Sequence, residues 1–146
     1  MRLLNAHKVR YVIIGAAAFP VYGYARITLD VDFFIAPDRE NVRKTYEALQ
    51  EFGYDLSDIT IDDMQNTKVL IRQYVMEVDI HPFVAGAEFE EVWDRRIEAA
   101  IGGEPAYFAS LDDLIRMKEA AGRAKDREDV EILKRIREKH KRKENG

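Results

Sequence analysis

The sequence predicts a mixed α/β (α+β) protein, in which helices flank a mixed β-sheet and a helical segment closes the chain. In the first half of the chain, two short runs rich in β-branched residues end at glycine or proline, and a segment whose apolar residues recur at helical spacing follows them. Two hairpin patterns follow, and the end of the chain carries helix-capping patterns. At 146 residues, the chain has the size of one domain. We expect its core at about 9–109 and its C-terminal helices at about 111–140.

The first half of the chain predicts two strands, each followed by a helix. Residues 9–14 are rich in β-branched side chains and end at a glycine, which indicates a central strand. A short helix is expected at 16–22, and 31–36 forms the second predicted strand. Asp38 then has the position of a cap for a helix that ends near Phe52, whose apolar residues recur at helical spacing.

The second half predicts two hairpins followed by helices. A weak alternation at 57–61 predicts one additional strand. The pair Gly102-Gly103 marks the second hairpin, and Ser110 with Asp113 forms a capping-box pattern. The remaining predicted elements are strands at 67–73 and 74–81, a short helix near 89–93, strands at 96–101 and 105–108, and helices at 111–122 and 126–139.

Composition and charge favour a cytoplasmic protein and exclude several classes. Cysteine is absent, which excludes disulfides and thiolate metal sites. No apolar stretch is long enough to span a membrane, and the first residues lack a signal-peptide pattern. The net charge of -4 indicates no overall nucleic-acid footprint. Only 134–143 is strongly basic, and it is either a solvated helix end or a tail that contacts RNA.

Two carboxylates, Asp30 and Asp32, flank the first residue of the second predicted strand and carry the strongest functional pattern of the chain. Because side chains alternate along a strand, both acids point to the same side. Two anions this close repel each other unless a cation lies between them, and a hard divalent metal prefers oxygen ligands. The alternative is that one acid caps a turn while the other pairs with Arg26 or a nearby lysine.

A third acid, Asp79, lies in the middle of the predicted strand that ends at His81. Alternation puts it on the face opposite the apolar residues of that strand, where an unpaired acid would be costly if buried. If Asp79 meets Asp30 and Asp32, the three carboxylates could hold two metal ions. Otherwise this face is simply exposed to solvent. His81 is given no functional role.

Gly15 and Lys118 could bind phosphate. Gly15 lies where a strand gives way to a helix, and a helix N-terminus offers unpaired N–H groups and a positive dipole end. Glycine also occurs at such turns for geometry alone. Lys118 occupies a position on its predicted helix where an apolar residue is expected. It either turns outward or directs its ammonium group at an anion.

Together these residues resemble the minimal nucleotidyltransferases of the DNA polymerase β-like superfamily. The superfamily pattern is Gly followed by Gly or Ser, then Asp-x-Asp, then a third acid on a later strand; it matches Gly15-Ala16, Asp30-Val31-Asp32 and Asp79. Segments 15–32 and 111–126 look like the AbiEii-type branch, which is found in toxin–antitoxin and phage-defence systems. Ala16 departs from the pattern, since it keeps a backbone N–H group but lacks a serine hydroxyl.

The resemblance implies a nucleotidyltransferase-like fold and the transfer of an NMP from an NTP to a hydroxyl acceptor on RNA or protein. It also implies two Mg²⁺ ions, or Mn²⁺ in their place, held by the three acids. Asp30 and Asp32 would bridge the ions, and Asp79 would hold the catalytic one and could accept the acceptor's proton. The residues expected at the nucleotide are Gly15, Ala16, Arg26, Thr28 and Lys118. Of these, Arg26 and Thr28 would orient either the triphosphate or the Asp30–Asp32 pair.

The expected partners are an NTP, an acceptor that is tRNA or a protein hydroxyl, and a cognate toxin or antitoxin protein. No membrane partner is expected. The alternative from another functional class is a non-catalytic nucleotide-binding or interaction module, an antitoxin-like partner of a second protein. Ala16 is the residue that favours this alternative.

Overall fold

The computed structural model describes residues 1–145 and contains a six-stranded mixed sheet with helices. The strands are β1 (Tyr11–Ile14), β2 (Asp30–Ile35), β3 (Val69–Ile71), β4 (Glu77–His81), β5 (Ile97–Ile101) and β6 (Glu104–Phe108). The helices are α1 (Arg2–Ala6), α2 (Arg39–Phe52), α3 (Ile61–Asn66), α4 (Phe89–Asp94), α5 (Leu111–Ala121) and α6 (Arg127–Asn145), with 3₁₀ helices at Gly15–Tyr22 and Ala124–Asp126. Among the described residues, no helix combines the length and the apolar character needed to cross a membrane.

The strands lie in the order β3-β4-β2-β1-β6-β5, so that β1 and β2 are central. β1 is antiparallel to β2, whereas β2–β4 and β1–β6 are parallel pairs. The two predicted hairpins are present as the antiparallel pairs β3–β4 and β5–β6. The predicted α/β (α+β) class, with a mixed sheet and a helical C-terminal segment, is confirmed.

The burial of the two central strands shows where the core ends. Every residue of β1 is buried. Because neighbouring residues of a strand point to opposite faces, both faces of the sheet are covered there. In β2 the second half is buried, but the first half, Asp30–Asp32, is only half-buried. The sheet therefore opens to solvent where β2 begins.

Two predicted helix caps are confirmed. The Asp38 carboxylate accepts a hydrogen bond from the Asn41 N–H group at 3.1 Å, and α2 follows it directly. The Ser110 hydroxyl accepts one from the Asp113 N–H group at 3.1 Å and begins α5. Both side chains satisfy N–H groups that the first helical turn leaves without a partner.

The strand predicted at 57–61 is wrong, because the chain turns there and α3 begins at Ile61. The Thr60 hydroxyl accepts a hydrogen bond from the Asp63 N–H group, and the Asp63 carboxylate accepts one from the Thr60 N–H group, both at 3.0 Å. This reciprocal capping box stabilises a helix start. It outweighs the weak alternation of apolar residues.

The structure changes two helical predictions and adds one helix that was not predicted. The helix expected at 16–22 is a 3₁₀ helix that begins one residue earlier and contains Pro20. The last helix is longer than expected, since α6 extends to Asn145 and a separate 3₁₀ turn precedes it. The basic segment 134–143 therefore belongs to α6. The N-terminal helix α1 had no counterpart among the predicted elements.

Candidate functional site

The sheet register brings the predicted acids to one end of the central strands. Ile14, the last residue of β1, pairs with Asp32 on β2. In the parallel pair β2–β4, Asp32 pairs with Asp79, and Phe34 pairs with His81. The end of β1 therefore lies beside the beginnings of β2 and β4, where the sheet is open to solvent.

A cavity of about 550 Å³ lies at this end of the sheet. Its volume is in the range of small-molecule sites, roughly 300–1,000 Å³. Seven of the eight residues predicted to form the site line this cavity: Gly15, Ala16, Arg26, Asp30, Asp32, Asp79 and Lys118. The lining also includes side chains that received no role in the sequence analysis: Lys68, His81, Phe83, Arg123 and Lys125.

Asp32, Asp79 and His81 form the group that could hold a metal ion. Each offers one ligand atom, and these atoms all lie within 4.8 Å of one another. His81 Nε2 is 2.8 Å from Asp32 Oδ1. Burial by itself raises the pKa of the Asp32 carboxyl, but the hydrogen bond and charge of His81 hold that pKa below its usual range. Two carboxylates and an imidazole form a donor set that fits a divalent cation.

Asp30 lines the same cavity but does not belong to this three-residue group. It pairs with Glu77 across β2 and β4, and the hydrogen bond to Asp30 raises the pKa of the Glu77 carboxyl. Arg72 lies between this pair and the metal-binding group. Its Nη1 donates to Asp79 Oδ1 at 2.5 Å, and its Nε is 3.2 Å from Glu77 Oε2. Arg72 thus compensates part of the negative charge that the register brings together.

Gly15 is required both by the backbone and by its contact with the acids. Its φ of +69° is strained for any residue with a side chain. A Cβ atom at this position would lie 2.9 Å from Asp32 Oδ2. Gly15 also opens the 3₁₀ helix, whose first N–H groups have no partner within the helix. The glycine turn therefore permits the close approach of the Asp32 carboxylate to the backbone.

The cations predicted to bind phosphate already have carboxylate partners. Lys118 Nζ donates to Asp126 Oδ1 at 3.1 Å and lies 3.8 Å from Asp129 Oδ2. Arg26 forms an ion pair with Asp129 as well. Lys118 is largely buried, with 15% of its side chain exposed, and it lies over the Phe19 ring. It therefore does not turn outward to solvent, and it directs its ammonium group at two buried acids.

Thr28 is the one predicted site residue that does not line the cavity. Its hydroxyl accepts a hydrogen bond from the Asp30 N–H group at 3.2 Å and donates one to the Asp30 carbonyl at 3.1 Å. Both bonds shape the backbone where β2 begins. The structure therefore places Thr28 in support of Asp30.

Among the lining residues that were not predicted, His81 could have been found from the sequence, whereas Lys68 could not. His81 is two residues after Asp79, so the same alternation that assigned a face to Asp79 also assigned His81 to it. Lys68 precedes a short strand, and nothing in its local pattern indicates that it lines the cavity. Its position depends on how β3 pairs with β4.

The mixed sheet, with acids at the open ends of two neighbouring strands beside a glycine turn, is consistent with a nucleotidyltransferase-like fold. The family model described as "Nucleotidyl transferase of unknown function (DUF2204)" matches residues 1–145. The chain therefore belongs to this nucleotidyltransferase family. A search of curated proteins returns no match. The predicted membership in a nucleotidyltransferase family is confirmed, while the AbiEii-type branch stays a prediction.

Proposed function

We propose that this protein is a metal-dependent enzyme that transfers an NMP from an NTP to a hydroxyl group on RNA or protein and releases pyrophosphate. The observation that carries the proposal is the group formed by Asp32, Asp79 and His81 in a cavity that also contains cationic side chains. Phosphoryl-type transfer asks mainly for positioning and for stabilisation of negative charge. Metal ligands and cations in one cavity meet that demand.

The acids would bind the metal. Asp32, Asp79 and His81 would hold one divalent cation, and Asp30, with Glu77 beside it, would contribute to a second position. Bound divalent ions neutralise phosphate charge and activate the attacking hydroxyl. Mg²⁺ is the ion implied by the resemblance, but the imidazole nitrogen favours a transition ion such as Mn²⁺. Asp79 is also the residue proposed to accept the hydroxyl proton.

The phosphates would lie against the other lining residues. Gly15 and Ala16 would offer backbone N–H groups. Lys68 and Lys125 line the cavity and take part in none of the ion pairs within residues 1–145, so neither would have to release a carboxylate partner to meet a phosphate. Lys118 would bind a phosphate by giving up its ion pair with Asp126 or Asp129. Arg26, paired with Asp129, would do the same.

Label transfer tests the proposal. The protein is incubated with Mg²⁺ or Mn²⁺, each α-labelled NTP, and fractions of cellular RNA or protein. We expect label in one of the two fractions, and we expect Asp32→Asn or Asp79→Asn to lower transfer by about 100-fold or more. Asp58→Asn is the matched control, since Asp58 is exposed and lies outside the cavity lining. If no fraction is labelled and NTP with metal does not raise the melting temperature, the proposal is wrong.

A non-catalytic nucleotide-binding module is the second candidate. The ion pairs favour it, because Arg72 occupies one oxygen of Asp79 and Lys118 is bound to Asp126. A melting temperature that rises with NTP and metal, without transfer of label, would support this candidate.

The proposed role in a toxin–antitoxin pair rests on the resemblance to the AbiEii-type branch. A neighbouring open reading frame that encodes a binding partner would support it. Co-purification of the two proteins after co-expression is the direct test.

A further inference from the structure

We infer that the Phe83 ring is the surface on which the nucleobase of the bound nucleotide stacks, an inference that rests on the proposed function. Phe83 lies two residues after His81 and lines the same cavity as Asp32 and Asp79. It is 64% exposed. None of the aromatic pairs within the described part of the chain includes it. A large apolar ring is thus open to solvent beside the metal-binding group.

The two tyrosines near Gly15 in sequence are already engaged elsewhere. The Tyr22 hydroxyl donates to the Ala109 carbonyl at 2.6 Å. The Tyr24 hydroxyl donates to Asp129 at 3.0 Å, and its ring stacks on Phe19 with 5.3 Å between centroids. Neither tyrosine lines the cavity. Within residues 1–145, Phe83 is therefore the phenyl or phenol ring that the cavity presents to a ligand.

Part of the cavity lining is apolar and suits the flat face of a base. The apolar lining comes largely from α5 and the segment after β4, with contributions from the region around Gly15: Phe83, Val84, Ala85, Leu114, Met117, Ala121, Ile14 and Ala16. Asp30, Asp32 and Asp79 come from β2 and β4, where the proposed metal would lie, while Lys118, Lys125 and Asp126 line the cavity from α5 and the turn after it. A nucleotide likewise combines a charged triphosphate with a base whose flat faces are apolar and whose edges are polar.

Close packing against α5 holds the segment that carries Phe83. Gly86 has a φ of +78°, and a Cβ atom there would lie 2.6 Å from the Ala120 Cβ and 3.3 Å from the Arg116 carbonyl oxygen. Val84 and Ala87 are joined by an isolated β-bridge. Phe83 is thus presented from a tightly packed turn, which lowers the entropy cost of stacking a base on it.

Stacking implies a particular kind of nucleotide recognition. Every base has a π-face, so an aromatic platform accepts all four bases and adds affinity for the base itself. The triphosphate contributes to affinity separately, through metal and cations. Removal of the ring should therefore weaken binding of nucleotides and leave binding of inorganic triphosphate unchanged.

The test measures binding of ATP, UTP and inorganic triphosphate, each with Mn²⁺, to the full chain by calorimetry. We expect Phe83→Ala to lower the affinity for both nucleotides about tenfold and to leave the affinity for inorganic triphosphate unchanged. Phe83→Trp should retain the nucleotide affinity. Val75→Ala is the control, because Val75 is 86% exposed but lies outside the cavity lining.

Two results would overturn the inference alone: nucleotide binding by Phe83→Ala that equals the wild type, or an equal loss for nucleotides and inorganic triphosphate. A wild-type protein that binds no nucleotide would overturn the proposed function and this inference together. The wild-type measurement therefore separates the two failures.

Discussion

At the residue scale, Gly15 is where backbone conformation and site chemistry meet. Its φ is positive, and Asp32 Oδ2 lies only 2.9 Å from the point that a Cβ atom of residue 15 would occupy. A glycine at a turn is usually needed only because the backbone there has a positive φ. Here the close approach of the carboxylate links the turn to the position of a proposed metal ligand.

We predict that Gly15→Ala lowers Mn²⁺ affinity about tenfold, because the new methyl group would displace the Asp32 carboxylate. The left-handed φ should also cost the alanine variant about 1–2 kcal/mol of unfolding free energy. Gly102→Ala is a matched control, since Gly102 has a φ of +58° but no atom within 4 Å of a Cβ. Urea denaturation and Mn²⁺ titration measure the two effects. Equal Mn²⁺ affinity in both variants would contradict the prediction.

His81 is the residue whose chemistry distinguishes this metal-binding group from three carboxylates. We predict that His81→Ala reduces the preference for Mn²⁺ over Mg²⁺ about tenfold, because the remaining oxygen ligands suit both ions. Melting temperatures recorded at increasing concentrations of each metal give the two affinities. His140→Ala, on the exposed part of α6, should leave both unchanged. A preference that persists without His81 would mean that the imidazole is not a ligand.

At the scale of elements, two buried acids join the helical end of the chain to the cavity. Asp126 ends the 3₁₀ turn before α6, and Asp129 lies in the first turn of α6; they are 3% and 4% exposed. Lys118 from α5 reaches both of them. Arg26 and Tyr24, from the segment before β2, reach Asp129. The junction between α5 and α6 therefore also holds the loop that leads to Asp30.

We predict that Asp126→Asn destabilises the protein by about 2 kcal/mol at pH 7, since it leaves the buried Lys118 without its closest carboxylate. Glu119→Gln is the control, because Glu119 also joins α5 to α6, through Lys134, but is half exposed. Its cost should stay below about 0.5 kcal/mol. Chemical denaturation gives both values, and equal costs would contradict the prediction.

The same acid makes stability depend on pH. Burial alone raises the pKa of the Asp126 carboxyl, but Arg123 and Lys118 lower it by more, so it lies below its usual range. The unfolded chain therefore binds a proton first as pH falls. The stability difference between wild type and Asp126→Asn should be constant above about pH 5 and should shrink below about pH 4. A difference that does not change with pH would contradict this account.

At the scale of the whole molecule, Tyr11 makes the stability of the protein depend on pH in the alkaline range. It lies fully buried in the central strand β1, and burial raises its pKa to about 12. In the unfolded chain, tyrosine ionises near pH 10, so the unfolded state loses its proton first and stability falls as pH rises from 10 to 12. At pH 11 this loss is about 1.4 kcal/mol.

We predict that Tyr11→Phe flattens the fall of unfolding free energy between pH 9 and pH 11. Urea denaturation at several pH values measures the slope. Tyr74→Phe is the control, because Tyr74 is 49% exposed at the surface. Parallel slopes for wild type and Tyr11→Phe would contradict the prediction.

Much of the fold was predictable because its causes are local. Short apolar runs identified β1 and β2, the Gly102-Gly103 pair identified the β5–β6 hairpin, and Asp38 identified the start of α2. The strand predicted at 57–61 is wrong because Thr60, within that segment, forms a capping box with Asp63 and starts α3. A capping box adds two local hydrogen bonds, and these decided the structure.

The candidate site was predictable only in part. The side of the strand on which Asp30, Asp32 and Asp79 lie follows from alternation within each strand. The partners of these acids do not, since His81 is 49 residues from Asp32 in sequence. Arg72 is close in sequence to Asp79, but only the geometry of the β3–β4 hairpin directs its guanidinium group at that carboxylate.

The sequence by itself determined the class of fold, most element starts, the face that carries the acids and the resemblance to nucleotidyltransferases. These follow from side-chain periodicity and capping, which act over a few residues. Only the tertiary structure decided that Asp32 meets Asp79 and His81, that Asp30 meets Glu77, and that Lys118 is bound to carboxylates. The reason is physical: such pairs depend on the register between strands and on helix packing, and distant parts of the chain determine both.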